Sequence, residues 1–352
     1  MLNLKRRKDF QGMIGIDFGM SSIKALALKG KPGQYEIEAM ASVPTPKGSI
    51  VDHQLQDVDQ VVMALKLLRR QLNSRCDWVA TAVTGSSVTT KTILVPRSLS
   101  NEELETQILL EAEQHIPFPL DEISLDYESL GINASHPERD NVLLSAARTE
   151  SINSRVSALE LAGWQTRVVD IGVHALARGV DACLAAEKTE ARLLAVVDIG
   201  SECLTFVVME EGEVIYSRLQ NFGGAQLSRE LARMSDMPAD RVEQAKVDNT
   251  FPAEIREDIE QLHINTLLQH IRRNIQLFCS SSGNKPPSAL FLSGGGSQLA
   301  ELAQILQQEL SMPVLQPDFD RLFNGMSKNP PDAAAFTTAL GLALRSFTPC
   351  PI

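Results

Sequence analysis

The chain has 352 residues, of which 43% are hydrophobic and 22% are charged, a composition typical of a soluble globular protein of about two domains. Its formal net charge of -11 leaves no excess of Lys and Arg to neutralise phosphates, which argues against a nucleic-acid binder. No run of about 18 consecutive apolar residues predicts a membrane-spanning helix, and the five cysteines contain no Cys-x-x-Cys pair typical of a zinc site.

The first informative motif runs from Gly15 to Ser22, an apolar stretch that ends in Asp and continues with Gly and two serines. Gly19 permits a tight turn, and the hydroxyls and amides that follow can face phosphate. Predicted strands follow at Ile23 to Leu28 and, after a turn, at Tyr35 to Met40. The motif is therefore a candidate phosphate loop between two strands.

The next segments predict a helix beginning at Asp57 and a buried strand from Trp78 to Val83. A different pattern follows, with a strand from Val88 to Val95, a helix opened by a capping box at Ser100, and a strand from Val142 to Ala147. We interpret residues 85–163 as a small α+β insertion in the first domain.

The main fold then resumes with an apolar strand that ends at Asp170 and a helix from Ala175 to Ala186. The segment Val196 to Glu202 repeats the first motif, again with apolar residues, Asp, Gly and Ser. Predicted strands at Cys203 to Met209 and Glu213 to Ser217 complete the repeat. Duplication of a whole supersecondary unit at this long period predicts two related lobes.

Glycines mark two further turns in the second half. Gly223 and Gly224 precede a mostly helical region, and a strand from Ala289 runs into Gly294, Gly295 and Gly296 before a helix predicted from Leu299 to Leu310. A single glycine turn is weak evidence, but its position after two Asp-x-Gly loops strengthens it. Glycines here would let a nucleoside or its phosphates approach the backbone closely.

This order of motifs resembles the actin-like ATPase superfamily, and over essentially the whole chain the sequence is similar to the PilM family of type IV pilus assembly proteins. The segments most specific to that family are Glu111 to Pro119 and Gly341 to Phe347. The resemblance implies an α/β protein with the actin-like ATPase fold, made of two related lobes with a small α+β insertion in the first.

The domain boundaries expected on this basis divide the chain into seven segments. The first lobe comprises residues 1–84, 164–192 and 319–352, the insertion 85–163, the second lobe 193–230 and 281–318, and a mostly helical subdomain on the nucleotide side 231–280.

The resemblance also implies binding of ATP and Mg²⁺. The implied nucleotide-binding residues are Gly15, Asp17, Gly19, Met20, Ser21, Ser22, Lys24, Asp198, Gly200, Ser201, Thr205, Gly223, Gly224, Glu243, Lys246, Gly294, Gly295 and Gly296. Asp17 and Asp198 would hold Mg²⁺ largely through water, which suits an ion that keeps its hydration shell.

Three of the implied residues have an alternative interpretation. Asp170 resembles the residue that orients an attacking water in hydrolysing members, but an Asp at a strand end also commonly caps the next helix. Glu243 and Lys246 match a Glu-x-x-Lys that reaches ribose and adenine in FtsA-like proteins, but the same pair fits a solvated helix face. The resemblance implies either weak ATPase activity or none, and does not decide between the two.

The resemblance implies PilN as the principal partner, through its short cytoplasmic N-terminal peptide, in a groove between the first domain and the insertion. Other inner-membrane and motor components of the pilus, and self-association, are further expected contacts. The segment Arg345 to Ile352 cannot form the amphipathic membrane helix with which FtsA-like proteins end. We therefore expect a cytoplasmic protein, peripheral at the inner membrane through its partners, with no direct membrane insertion.

Two alternatives share the same fold. A filament-forming FtsA-like ATPase would sediment in a nucleotide-dependent way. A small-molecule kinase would need a catalytic Asp beside a polar substrate cleft, and the sequence contains no obvious sugar-recognition cluster between the lobes.

Overall fold

The computed structural model describes residues 12–187, 193–235, 237–238, 241–242, 245, 250, 253–283, 285–323 and 332–347. The strands are β1 (Ile14–Phe18), β2 (Ser22–Lys31), β3 (Gln34–Pro44), β4 (Ile50–Val51), β5 (Gln54–Leu55), β6 (Trp78–Val83), β7 (Val88–Pro96), β8 (Ile123–Ile132), β9 (Arg139–Arg148), β10 (Gln165–Ile171), β11 (Leu193–Ile199), β12 (Leu204–Glu210), β13 (Glu213–Gln220), β14 (Ala289–Ser293) and β15 (Val314–Leu315).

The helices include one long rod and several short segments. They are α1 (Val58–Leu72), α2 (Asn101–His115), α3 (Thr149–Leu161), α4 (Gly172–Glu187), α5 (Gly224–Ser235), α6 (Ala253–Ser282), α7 (Leu302–Leu310), α8 (Phe319–Leu322) and α9 (Thr337–Ala343). Short 3-10 turns occur at Gly85–Ser87, Leu120–Glu122, Gly295–Gln298, Ala333–Phe336 and Leu344–Ser346.

Two five-stranded sheets have the same topology. One has the order β3-β2-β1-β6-β10 and the other β13-β12-β11-β14-β15. In each, two antiparallel pairs lead to a central strand, and two parallel strands extend the sheet on its other side. The duplicated motifs therefore lie in two equivalent sheets, as the sequence repeat predicts.

Strand register makes the two Asp-x-Gly loops equivalent residue by residue. Asp17 on β1 is paired with Lys24 on β2, and Asp198 on β11 is paired with Thr205 on β12. Each hairpin therefore carries an aspartate directly opposite a polar side chain, at the edge of the sheet where the chain turns. Lys24 occupies in one sheet the place that Thr205 has in the other.

The segment between β6 and α3 forms a separate small layer, with β7, β9 and β8 in a three-stranded antiparallel sheet. Helix α2 covers one face, and Ile93, Val95, Ile108 and Val142 form its core. The predicted capping box is present, because Ser100 and Glu103 exchange hydrogen bonds at the start of α2.

Three local predictions differ from the structure. Strand β8 was not predicted, since most of its side chains are exposed and do not alternate cleanly. The helix predicted from Leu299 begins at Leu302, after a 3-10 turn over Gly295–Gln298. The helix predicted from Ala175 begins at Gly172, directly after β10.

The two sheets are joined by α4 and α9, which cross between them. Their core cluster includes Leu26 of the first sheet and Val196 of the second, together with Leu176 of α4 and Leu340 of α9. The helices approach so closely that a Cβ on Gly341 would lie 1.7 Å from the carbonyl oxygen of Ala175.

Substituting Gly341→Ala should therefore lower the free energy of unfolding by about 3 kcal/mol, because a methyl group here meets backbone that cannot move without separating the helices. Thermal and urea denaturation measure the change. Gly295→Ala is the matched control, since no atom lies within 4 Å of its added Cβ, and it should change stability little. Equal stability of the two variants would contradict the packing argument.

Candidate functional site

A cavity of about 600 Å³ opens between the two sheets. Of the predicted nucleotide-binding residues, its wall contains Asp17, Gly19, Met20, Ser21, Ser22, Lys24, Asp198, Gly200, Ser201, Thr205, Gly224, Gly294, Gly295 and Gly296. Both lobes contribute to the wall, and the volume is typical of a cofactor site. The tertiary fold thus brings both Asp-x-Gly loops and both of the later glycine turns to one cavity.

Four predicted residues need a separate account. Gly15 packs against α9, where an added Cβ would lie 2.1 Å from the carbonyl oxygen of Ala339. Gly223 supports the second loop from behind, since its Cβ would lie 2.4 Å from the carbonyl oxygen of Ser201. Neither lines the cavity. Glu243 and Lys246 lie outside the described residues.

The first loop is held from the end of β3. The Thr45 hydroxyl donates to the carbonyl oxygen of Gly19 at 2.7 Å, and the Thr45 amide donates to that of Ser21 at 3.0 Å. Opposite the loop, the Lys24 ammonium lies 3.5 Å from the Asp17 carboxylate, and its side chain is only 12% exposed. The loop is therefore fixed in shape, with a cation and an anion at its base.

The second loop is held by the start of α5. The amide of Gly200 donates to the carbonyl oxygen of Cys203 at 2.9 Å, and the amides of Gly224 and Ala225 donate to those of Gly200 and Ser201. The second loop is therefore also fixed in shape, but by the start of a helix and not by the end of a strand.

Two helices begin at the cavity. Gly172 and Val173 at the start of α4, and Gly224 and Ala225 at the start of α5, belong to its wall. A helix N-terminus carries a partial positive charge, so it favours anions even where, as in α5, its first amides are already bonded within the protein. These two helix ends and Lys24 make the region between the loops suited to phosphate groups.

The turn that contains Gly294, Gly295 and Gly296 forms another part of the cavity wall. Gly294 has a φ of 84°, and an added Cβ would lie 2.4 Å from the carbonyl oxygen of Ile199, so only glycine fits without strain. Gly295 has no neighbour within 4 Å of an added Cβ, although it lines the cavity. Packing within the protein does not explain glycine at that position, whereas close approach of a ligand would.

The negative charge of Asp17, in the first loop, affects the ionisation of Asp198 in the second loop. The pKa of Asp198 is raised to about 6, chiefly by burial and also by the negative charge of Asp17, while the Ser293 hydroxyl and Lys24 act in the opposite direction. A carboxyl group whose charge is disfavoured by burial and by a neighbouring carboxylate suits a bound divalent cation. No group of three or more potential metal ligands occurs within the described ranges. Two carboxylates that contact an ion through its bound water would suit Mg²⁺, which keeps its hydration shell.

Asp170 does not contribute to the cavity wall. Its carboxylate accepts a hydrogen bond from Arg178 at 2.9 Å and from the amide of Ile171 at 2.7 Å, and Arg345 lies 3.7 Å away. These contacts join β10 to α4 and to the segment after α9. The geometry favours a structural role over both the water-orienting role and the helix cap considered for this residue.

Several polar residues of the wall were missed by sequence reasoning. They are His53, Thr84, Arg256, Glu260, His263 and Gln298. Thr84 follows β6, the counterpart of β14 in the first sheet, so it occupies the place that Gly294 has in the second sheet. Only this internal symmetry could have indicated it. His263 stacks on Phe222, with ring centroids 4.7 Å apart.

Comparison with known proteins found one matching family and solved structures of similar fold. The family model described as type IV pilus assembly protein PilM matches residues 15–347. A solved PilM-PilN type IV pilus biogenesis complex is similar over 96% of this chain and 99% of that chain, with 26% identity and a TM-score of 0.82. The ethanolamine utilization protein EutJ from Carboxydothermus hydrogenoformans is similar in fold, with 16% identity, a TM-score of 0.59, and coverage of 94% and 89% of the two chains.

The raised pKa of Asp198 predicts a stability effect with a definite sign. Between pH 4 and pH 6 the folded protein keeps a proton on this carboxyl that the unfolded chain releases, so ionisation destabilises the fold as the pH rises. Asp198→Asn should therefore raise the free energy of unfolding at pH 7.5 by roughly 2 to 3 kcal/mol, with little difference near pH 4.

The measurement is thermal unfolding of the nucleotide-free protein in a chelator, at both pH values. Asp170→Asn is the control for loss of a carboxylate, and it should lower stability because Arg178 loses its partner. A lower unfolding midpoint for Asp198→Asn at pH 7.5 would contradict the electrostatic argument.

Proposed function

This chain belongs to the PilM family of type IV pilus assembly proteins, and we propose that it is an ATP-binding scaffold that captures the cytoplasmic N-terminal peptide of PilN. Its fold is the actin-like ATPase fold that the sequence predicts. In the proposed role it links the membrane subcomplex of the pilus machine to the cytoplasmic motor.

The observation that supports nucleotide binding is the convergence of both phosphate-loop motifs on one cavity. Lys24, the starts of α4 and α5, and the two loops present positive charge and donors to the same space. The turn that contains Gly294, Gly295 and Gly296 leaves room for a flat nucleoside beside the backbone. Mg²⁺ bound through water to Asp17 and Asp198 would supply neutralising charge for the phosphates.

We propose binding rather than rapid turnover as the main use of the nucleotide. The residue implied as the water-orienting group, Asp170, is held by Arg178 outside the cavity. In this proposal the chain's own residues bind and orient the nucleotide and keep the two loops apart at a set distance. A bound nucleotide then sets the closure of the lobes.

The proposed partner surface is the inserted subdomain. The related solved structure is described as a PilM-PilN complex, which supports a PilN peptide as ligand. Strand β8 is an edge of the inserted sheet and exposes Tyr127, Leu130 and Ile132. An extended peptide can add to such an edge through main-chain hydrogen bonds, with apolar side chains giving specificity.

Attachment to the membrane through PilN agrees with the composition of the helices. None of the helices in the described ranges is long and apolar enough to cross a bilayer. Contacts with other inner-membrane components, with the motor and between copies of the chain belong to the same proposal.

Lys24→Met should weaken binding of Mg-ATP at least about tenfold, because it removes the only lysine in the described cavity wall. Isothermal titration calorimetry measures the affinity. Lys29→Met on the same strand is the control, since that ammonium is exposed and pairs with Glu36. Unchanged ATP affinity in Lys24→Met would refute the proposed phosphate site.

Leu130→Asp should weaken binding of a synthetic peptide copying the cytoplasmic N-terminus of the cognate PilN by about tenfold or more. The side chain is 47% exposed on β8, so a charge there opposes an apolar peptide without disturbing the core. Fluorescence anisotropy gives the affinity.

Leu262→Asp, on α6 of the other lobe and 62% exposed, is the matched control and should bind the peptide normally. Equal affinities of the two variants would exclude the β8 edge as the peptide site. No binding by the unmodified chain would refute the partner assignment.

A further inference from the structure

A buried polar cluster lies where the inserted subdomain joins the first lobe. The chain leaves the lobe through the turn Gly85–Ser87 and returns through α3. Ser87 and Ser151, at these two connections, are 2% and 1% exposed, and their hydroxyl oxygens lie 3.4 Å apart. The Ser151 hydroxyl also donates to the Gln54 side chain at 3.0 Å. The two connections are thus tied to each other and to β5.

Arg155 is the centre of this cluster. It is 2% exposed, and one of its terminal nitrogens donates to the carbonyl and hydroxyl oxygens of Ser151 at 2.7 and 3.0 Å. Its other terminal nitrogen donates to the carbonyl oxygen of His53. Within the part of the chain that the structure describes, no carboxylate forms an ion pair with this guanidinium.

A buried cation without an ion-pair partner is costly. Burial lowers the pKa of Arg155 to about 10, and the charge of Asp17 at the phosphate loop partly offsets this effect. The guanidinium also lies 6.0 Å from the centroid of the Phe18 ring, which lines the cavity. The positive charge is therefore placed just behind the wall that the first loop forms.

The cluster reaches the cavity through His53 and Thr84, which both line it. Asp52 and His53 adopt left-handed backbone conformations, with φ of 47° and 61°, as the tight two-residue turn between β4 and β5 requires. The Nε2 atom of His53 is buried and has no hydrogen-bond partner among the described residues. Gly85 lies against the same ring, with an added Cβ only 3.1 Å from it.

We infer that Arg155 is a positioning residue that couples a nucleoside triphosphate in the cavity to the inserted subdomain, through His53 on one side and Ser151 on the other. This inference rests on the proposed nucleotide-binding function. A terminal phosphate beside the first loop attracts the guanidinium and meets the unpartnered imidazole, which displaces the turn that carries His53. Because Arg155 bonds both that turn and Ser151, the displacement reaches Ser87 and the root of the inserted sheet.

The test uses the full chain, calorimetry with a non-hydrolysable ATP analogue, and hydrogen exchange with mass spectrometry. In the unmodified protein the analogue should slow exchange in residues 85–96 and 139–155 by about threefold or more. In Arg155→Met the analogue should still bind within about fivefold of the original affinity, but the change in exchange should be lost. ADP should produce a smaller change than the triphosphate analogue.

Arg69→Met is the matched control. Arg69 donates to the carbonyl oxygen of Gly163, just past the far end of α3, and pairs with Asp77, away from the cavity. This variant should retain the nucleotide-dependent change in exchange. Should Arg155→Met fail to fold, Gln54→Leu breaks the same cluster at its half-buried edge and should lose the change in exchange as well.

The outcomes separate the two proposals. No heat of binding with the unmodified protein would refute nucleotide binding itself, and the inference with it. Binding without any change in exchange at the two segments would overturn the coupling alone. The same conclusion would follow if Arg155→Met kept the full change, or if Arg69→Met lost it too, since the effect would then be general loosening of α3.

Discussion

The close crossing of α4 and α9 is the contact on which the rest of the structure depends. At this crossing Gly179 faces Thr337, and Gly341 faces Ala175, each with backbone where a side chain would stand. Because the helices touch without intervening side chains, the two sheets they join are held at a short, fixed separation. That separation brings Asp17 and Asp198 to opposite walls of one cavity of about 600 Å³.

Two charged groups near that cavity are buried at a cost to the stability of the fold, and both would favour binding of a ligand. Asp198 is held where its own ionisation is unfavourable, and Arg155 is buried without an ion-pair partner in the described residues. Each would gain from a ligand of the opposite charge, a cation for the carboxylate and an anion for the guanidinium. A magnesium nucleotide carries both. The fold thus carries local energetic costs that ligand binding would relieve, as is common at functional sites.

The inserted subdomain connects this cavity to the family's role in pilus assembly. It has its own small core under α2 and an exposed edge at β8, which is the surface proposed for the partner. Its two connections to the lobe meet at Ser87 and Ser151, next to the turn that carries His53. The buried polar cluster therefore lies between the proposed nucleotide site and the proposed peptide site, a suitable arrangement for a scaffold whose partner affinity depends on its ligand.

Local patterns in the sequence determined the two Asp-x-Gly loops, the duplicated hairpins, the capping box of α2 and most strand positions, because these depend on neighbours a few residues apart. The family resemblance supplied the fold and 14 of the 32 residues that the structure describes in the cavity wall. Strand β8 escaped prediction because its exposed side chains lack alternation, and Thr84 because it matches Gly294 in position but not in residue type. Only the tertiary structure decided the ion pairing of Asp170 and the meeting of His53 with Arg155, since these contacts join segments far apart in the chain and depend on how the helices pack.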